Sequence, residues 1–329
     1  MTGDTPLLVP TEAGLYCPKG GFHIDPMKPV ERAVITHAHA DHARKGHKRY
    51  IATPQTVDIM RKRLGKSIPT RSVKYAEPLF LSSSAALPEL SCGHSDRDGV
   101  TISLHSAGHV LGSAQVRIAY QDDVWVHTGD FKMDNGHVDA DPSCAPFDPV
   151  ACGTFVTEST FALPIFDWPD PQAVVSDIIA WWRKNAGRGV TSIIQAYSLG
   201  KAQRVLAMIR DSIVRNANNC GMLDDVYVYR TIAAINRIYG KHGIDLSFAK
   251  EMTSPRLSPK LAGKLILAPP QATGQMTDGL LQHGSRTRVS IAAASGWMAI
   301  ARMRKMRRVN KAFVLSDHAD WKGLVSALK

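Results

Sequence analysis

The chain of 329 residues has no run near the roughly 18 consecutive apolar residues of a membrane-spanning helix, which argues against an integral membrane protein. Its first six residues lack the basic start and apolar stretch of a secretory signal peptide. Cysteine is scarce, with five scattered residues and no Cys-x-x-Cys pair, which argues against a disulfide framework and against a cysteine-ligated zinc site. We therefore expect a cytoplasmic protein with no membrane association.

The charge is unbalanced towards the basic side. There are 40 basic and 29 acidic residues, a formal net charge of +11. Such an excess suits a polyanionic partner, because each neutralised phosphate releases counterions. It is equally typical of a cation-rich soluble surface. The basic residues cluster at positions 61–66 and 302–311.

The motif His-Ala-His-Ala-Asp-His at residues 37–42 follows the apolar run 33–36, which predicts a strand that ends in a loop. Imidazole and carboxylate are ligands that zinc accepts. His37 and His39 point the same way in an extended stretch, whereas Asp41 and His42 come from the following turn and can face a second ion. Two adjacent cations are suited to a phosphoester displacement.

Other potential ligands also stand where predicted strands end. The predicted strands of the first half are 33–36, 101–105, 115–120, 124–127 and 154–157. Asp25, His109, Asp130 and Glu158 each follow an apolar run. Loops at the ends of several strands can gather such residues at one edge of a sheet.

The pattern changes after the proline-rich segment 163–171. Asp170 is a suitable N-cap and Pro171 a suitable first residue for a helix that ends near residue 187. Strands at 190–197, 224–229 and 264–268, with a helix from residue 201, predict a separate α/β unit. His318 follows a predicted strand at 312–315, which indicates that the chain returns to the first domain and that the α/β unit is an insertion.

The assembled motifs resemble those of a known family. In order and spacing, His37-x-His39-x-Asp41-His42, Gly108-His109 and Thr128-Gly129-Asp130 resemble the metallo-β-lactamase fold. Glu158 within residues 157–160, the inserted unit, and His318 within residues 316–320 resemble the β-CASP nucleases, which include Artemis, RNase J and the pre-mRNA 3′-end endonuclease. The segments 22–26, 108–115, 158–161, 199–204 and 295–298 are similar to those of bacterial ligase-associated DNA exonucleases.

This resemblance spans nearly the whole chain and implies an α/β fold. A metallo-β-lactamase αββα sandwich would carry an inserted β-CASP α/β domain. The implied division is 1–165 for the first part of the metallo-β-lactamase domain, 166–294 for the inserted domain and 295–329 for the return.

The resemblance also implies two divalent metal ions, zinc or manganese. One ion would take His37, His39 and His109, the other Asp41, His42 and His318, with Asp130 between them. Hydroxide held by the two ions would attack the phosphodiester. Asp25 would accept an imidazole N–H and fix its tautomer, and Glu158 would orient a proton donor or a ligand histidine. Asp41, Asp130 and Glu158 are therefore the expected catalytic carboxylates.

One expected group is missing from the sequence. The RNA-cutting members of the family commonly have a histidine that acts as general acid shortly before the final ligand histidine. Between Ser295 and Asp317 there is no histidine, and Trp297 stands there instead. Tyr229 and Arg230 likewise stand where a His-Gly pair is expected. The general acid is left unassigned.

Ser198, Lys201 and Arg204 are candidate substrate-binding residues. A strand-to-helix turn can hold a phosphate through backbone N–H groups and a lysine. Lys201 and Arg204 would then read a nucleic-acid backbone without reading its sequence. An ordinary N-cap with a solvated lysine is the alternative interpretation.

The sequence thus favours a two-metal phosphodiesterase that trims DNA, single-stranded or at strand ends, in repair. Family resemblance adds a functional association with a DNA ligase or helicase. The alternatives are an RNA-processing nuclease of the same fold, a lactamase-like or thioester hydrolase, and a non-catalytic binding module.

Overall fold

A computed structural model describes residues 6–83, 99–133, 141–215, 217–254, 256–282 and 288–329. These described residues form a mixed α/β structure with three sheets. Its chain forms two compact units. The first comprises Met1–Asp134, Cys144–Thr160 and Leu324–Lys329, and the second comprises Asn135–Ser143 and Phe161–Gly323.

The first unit contains two of the sheets. Strands β1 to β6 of the first sheet are neighbours in chain order and cover Val9–Thr11, Gly14–Cys17, Phe22–Ile24, Ala33–Val34, Tyr50–Ala52 and Thr70–Ser72. Pairing is antiparallel from β1 to β3 and parallel from β3 to β6. Helix α1, Pro54–Leu64, connects β5 to β6 and begins after Thr53, whose hydroxyl accepts the N–H of Thr56.

The second sheet of this unit has the order β11-β10-β9-β8-β7. Strands β7 to β11 cover Leu79–Leu81, Val100–Ser106, Ala114–Tyr120, Asp123–His127 and Thr154–Val156. One apolar cluster contains side chains of both sheets, among them Val34 and Ile51 from the first and Leu104 and Ile118 from the second. Burial of alternate residues on each sheet builds this core.

The second unit contains the third sheet, whose order is β14-β13-β15-β12-β16-β17 and whose pairings are all parallel. Strands β12 to β17 cover Val190–Gln195, Val226–Val228, Lys250–Glu251, Leu265–Ala268, Arg288–Ala294 and Lys311–Phe313. Helices α2 to α7 cover Pro171–Ala186, Lys201–Arg215, Arg230–Lys241, Pro270–Gln282, Ala301–Arg307 and Trp321–Ala327, and 3₁₀ turns cover Ala217–Asp225, Pro259–Leu261 and Gly296–Ala299.

The predicted N-cap and first residue of the helix after the proline-rich segment are confirmed. Helix α2 begins at Pro171, and the Asp170 carboxylate accepts the N–H groups of Gln172 and Ala173. The end of the unit differs from the sequence-based division. Residues 295–323 belong to the second unit rather than to the first, because β17 pairs with β16 in the third sheet.

Two further observations bear on the protein's class. Among the residues that the structure describes, no helix is both long and apolar enough to cross a membrane. Cys17, Cys144 and Cys152 form no disulfide bond. Cys92 lies outside the described residues.

Candidate metal centre

The candidate metal ligands of the first unit lie in loops that follow three strands. Residues 37–42 follow β4, His109 follows β8 and Asp130 follows β10. The loop that carries Asp130 approaches the first sheet closely, and a Cβ on Gly129 would lie 2.7 Å from the Cβ of Thr36. Gly129 has a φ of +57°, so both the close approach and the backbone conformation favour glycine there.

Three imidazoles and one carboxylate converge at this edge. His39 Nδ1 lies 3.0 Å from His37 Nε2 and 3.2 Å from His109 Nε2. Asp130 Oδ2 lies 3.6 Å from His37 Nε2 and 3.8 Å from His109 Nε2. The four donor atoms all lie within 4.8 Å of one another. His37 and His109 are almost completely buried.

This spacing fits a divalent cation. Ligand atoms 2.0–2.1 Å from a tetrahedral zinc ion are about 3.3 Å from each other, and the observed separations of 3.0 to 3.8 Å bracket that value. His39 Nδ1 faces two other imidazole nitrogens, whereas a single ring nitrogen has only one proton or one lone pair to share. A cation held by these residues would satisfy all four donors.

Hydrogen bonds around His37 direct its Nε2 atom towards the cluster. The Thr36 hydroxyl donates to Asp25 Oδ2 at 2.5 Å. Having used its proton, this hydroxyl accepts from His37 Nδ1 at 3.1 Å. The Nε2 atom of His37 then carries the lone pair, which is the form that binds metal.

Asp25 also orients His42. The Oδ2 atom of Asp25 accepts from His42 Nδ1 at 2.7 Å, and its Oδ1 atom accepts the Thr36 N–H at 2.8 Å. The other ring nitrogen of His42, Nε2, lies 3.4 Å from Asp130 Oδ2. Burial disfavours the imidazolium, but the carboxylates of Asp130 and Asp25 outweigh it and raise the pKa of His42 to about 11 without metal. His42 thus lies between two carboxylates, as a ligand with a supporting acceptor would.

The other two predicted carboxylates have different surroundings. Asp41 is exposed, with its Oδ2 atom 3.7 Å from His42 Nε2. Glu158 follows β11, and its Oε1 atom accepts the N–H of Phe131 at 2.8 Å. Glu158 therefore fixes the backbone next to Asp130. The roles predicted for Asp41 and Glu158 remain predictions.

His318 belongs to the second unit. Its backbone N–H donates to Ser316 Oγ at 3.1 Å, and its carbonyl accepts from Trp168 Nε1 at 2.9 Å. These bonds fix the backbone of the loop after β17. The prediction that His318 is a metal ligand remains a prediction.

Two of the candidate substrate-binding residues need a correction. Lys201 is 4% exposed, and its Nζ atom lies 2.6 Å from Asp317 Oδ1. Arg204 is 3% exposed, donates to the carbonyl of Ser316 at 2.7 Å and lies 3.3 Å from Asp141 Oδ2. Buried cations with these partners hold the loop before His318 and do not present their charge to a phosphate. Ser198 is partly exposed and shares a hydrogen bond with Thr231.

Arg63 is a residue near the site that the sequence did not single out. Its Nη1 atom donates to the carbonyl of Ala38 at 2.5 Å, between the first two histidines of the motif. In the sequence Arg63 is one of several basic residues at the end of α1, and Arg61 instead donates to Thr70. The packing of α1, which the sequence does not show, decides that Arg63 and not Arg61 contacts the carbonyl of Ala38.

None of the family models matches the chain. Comparison with curated proteins does give relatives. The chain is 26% identical over 313 residues to "Probable DNA ligase" of Opitutus terrae, an alignment that covers 95% of the chain and 27% of the ligase. It is 26% identical to "Transcription termination factor FttA" of Methanosarcina mazei, over 65% of the chain and 34% of that protein. It is 24% identical to "RNase J-like protein" of Methanocaldococcus jannaschii, over 61% of the chain and 47% of that protein.

These alignments cover a quarter to a half of the curated relatives' own length. The identities are low, but the names agree with the motifs, because RNase J is among the β-CASP nucleases that the sequence resembles. The relatives therefore point to the metallo-β-lactamase/β-CASP superfamily.

Proposed function

We propose that the chain is a metal-dependent phosphodiesterase that removes nucleotides from DNA strand ends. The observation that carries the proposal is the convergence of three imidazole nitrogens and one carboxylate oxygen within 4.8 Å in the first unit. A buried donor set of this composition is suited to zinc, and its carboxylate also suits manganese. We therefore propose zinc or manganese as the bound metal.

Divalent ions in such a cluster supply Lewis acidity and a nucleophile from water at neutral pH. The chain's own residues set up this chemistry. Thr36 and Asp25 hold His37 and His42 so that each presents its Nε2 atom. Asp130 lies between these imidazoles, and Glu158 holds the backbone beside it.

We assign one ion to His37, His39 and His109, with Asp130 shared. His42, which faces Asp130 at 3.4 Å, and the neighbouring Asp41 are the candidate ligands of a second ion. His318 joins this second set through the family resemblance. Asp25 is a positioning residue in this scheme because it accepts from His42 Nδ1 and from the Thr36 hydroxyl, which in turn contacts His37.

Nucleic acid is the substrate class that the relatives and the charge support. The names of the relatives describe a DNA ligase, a transcription termination factor and an RNase J-like protein. A net charge of +11 favours the binding of a polyanion. The metal cluster alone would also serve a small-molecule hydrolase, so the substrate class depends on these two observations.

DNA is our first choice because the alignment with the probable DNA ligase covers 95% of the chain. An association with a DNA ligase or helicase in repair, in the cytoplasm, is part of this proposal. RNA is the second candidate, because the other two relatives carry names from RNA metabolism.

Matched single strands of DNA and RNA test the choice. Purified protein with manganese or zinc is given each strand labelled at its 5′ or 3′ end, with and without a terminal phosphate. We expect stepwise shortening of DNA from one end, slower loss of RNA, and neither reaction with Asp130→Asn. Faster loss of RNA would favour the second candidate, and equal activity of the Asp130→Asn variant would overturn the assignment of the site.

A further inference from the structure

The second unit carries a pocket at the carboxyl end of its parallel sheet. Gln195 ends β12 and Tyr197 follows it, while Ala294 ends β16 and Ser295 follows that strand. Arg307, the last residue of α6, also lines the pocket. All of these residues belong to the second unit.

The topology of the sheet creates this pocket. Strands β12 and β16 are neighbours in the sheet. The chain leaves β12 through α3 and goes to β13, on one side of this pair in the strand order. It leaves β16 through α6 and goes to β17, on the other side of the pair. Right-handed crossovers place two such connections on opposite faces of the sheet. A crevice opens where neighbouring strands diverge in this way, and ligands of open parallel sheets bind there.

The polar groups of the pocket suit an anion. Within the described part of the chain, no hydrogen bond or ion pair engages the Arg307 guanidinium, the Tyr197 hydroxyl or the Gln195 amide. Among the described residues that line the pocket, none carries a carboxylate. An arginine that is partly buried and has no acidic partner in the described part of the chain is well placed to receive a phosphate through two parallel N–H donors.

The apolar part of the pocket suits a flat ring. Ala293 and Ala294 are buried and leave the ends of the strands without bulky side chains. Tyr197 is 53% exposed, so much of its side chain is open to solvent. A nucleobase gains stacking energy on such a ring whatever its identity.

We propose that one nucleotide of a single-stranded nucleic acid binds at the mouth of this pocket, with the base against the exposed Tyr197 ring and a phosphate on Arg307. The choice of nucleic acid as ligand rests on the proposed function, whereas the position of the site rests on the sheet topology and the lining residues. A free mononucleotide has the same chemistry, so the test includes both.

Fluorescence anisotropy of a labelled oligothymidylate measures strand binding to metal-free protein over a range of salt concentrations. We expect Tyr197→Ala to weaken binding about tenfold and Tyr197→Phe to retain it, since phenylalanine also stacks. Arg307→Ala should reduce the slope of log K against log salt by about 0.7, the contribution of one phosphate contact on a single strand. Arg302→Ala is the matched control, because it removes the same charge from the same helix outside the pocket.

Equal effects of the two arginine variants, or no effect of Tyr197→Ala, would overturn the proposal. The proposal would also be overturned if the Tyr197 and Arg307 variants lost binding of thymidine monophosphate but kept binding of the strand. That result would assign the pocket to free nucleotides. Circular dichroism of each variant, together with Arg307→Lys, separates loss of a contact from loss of the fold. The same measurements on Asp130→Asn keep the two proposals apart. This variant should not cleave the strand, but it should still bind it at the pocket, because binding at the pocket does not depend on cleavage.

Discussion

Asp25 Oδ2 accepts a hydrogen bond from His42 Nδ1 at 2.7 Å and another from the Thr36 hydroxyl at 2.5 Å. One carboxylate thereby governs two candidate ligands, since Thr36 in turn accepts from His37 Nδ1. Partners of this kind raise the basicity of a ligating imidazole and fix its orientation. Asp25 has a φ of +44°, a left-handed conformation that aspartate adopts more readily than most residues other than glycine.

Asp25→Asn should lower metal affinity by about 10- to 100-fold, because an amide supports an imidazole less than a carboxylate does. Isothermal titration of the metal-free protein with zinc measures the change. Asp122→Asn, in the exposed turn between β9 and β10, removes the same charge and should leave the affinity unchanged. Equal zinc affinities of the Asp25→Asn variant and the unmodified chain would show that metal binding does not depend on the hydrogen bond between His42 and the Asp25 carboxylate.

Lys201→Met should destabilise the fold by about 3–5 kcal/mol, because it leaves Asp317 as a buried charge without its cation. Urea denaturation measures the loss, and Lys241→Met on the exposed surface of α4 should cost far less. The double variant Lys201→Met/Asp317→Leu should recover much of the stability, since an apolar pair replaces the ions. A Lys201→Met variant that keeps its stability but loses nucleic-acid affinity would restore the original interpretation of Lys201.

The stability of the protein should fall in alkaline solution through Cys17. Burial raises the pKa of this thiol from 9.0 to about 11, so the folded chain keeps a proton that the unfolded chain releases. The contribution to the free energy of unfolding is complete below pH 9 and is lost as the pH rises towards 11. Since one pKa unit corresponds to 1.36 kcal/mol, the loss between pH 8 and 10.5 is about 2 kcal/mol.

Cys17→Ala lacks this contribution and should therefore lose about 2 kcal/mol less than the unmodified chain between those two pH values. Urea denaturation at pH 8 and at pH 10.5, with reductant, provides the comparison. Parallel losses in the two proteins would assign the alkaline sensitivity to other groups.

The sequence predicts features that depend on neighbours along the chain. Asp170 and Pro171 define the start of α2 because capping is a local interaction. The candidate ligands His109 and Asp130 could be recognised because each follows a strand at which the apolar pattern stops. Their convergence depends on glycines that allow tight turns, and Gly129 beside Asp130 is visible in the sequence.

Long-range contacts are what the sequence does not reveal. Lys201 and Asp317 are 116 positions apart, so the pattern around Lys201 shows a helix start but not a buried partner. The same holds for Arg63, whose contact with Ala38 depends on how α1 packs. The third sheet includes β17 because of its pairing with β16, which no local pattern specifies.

Titration of the metal-free protein with cobalt tests the central claim most directly, since cobalt reports its coordination by visible absorption and replaces zinc in imidazole sites. Absorption and cleavage of a labelled DNA strand are followed in the same samples, for the unmodified chain and for His37→Ala. We predict that the absorption and the cleavage rise together in the unmodified chain and that both are lost in His37→Ala. Cleavage by the metal-free protein, or equal titrations of the two chains, would contradict the account.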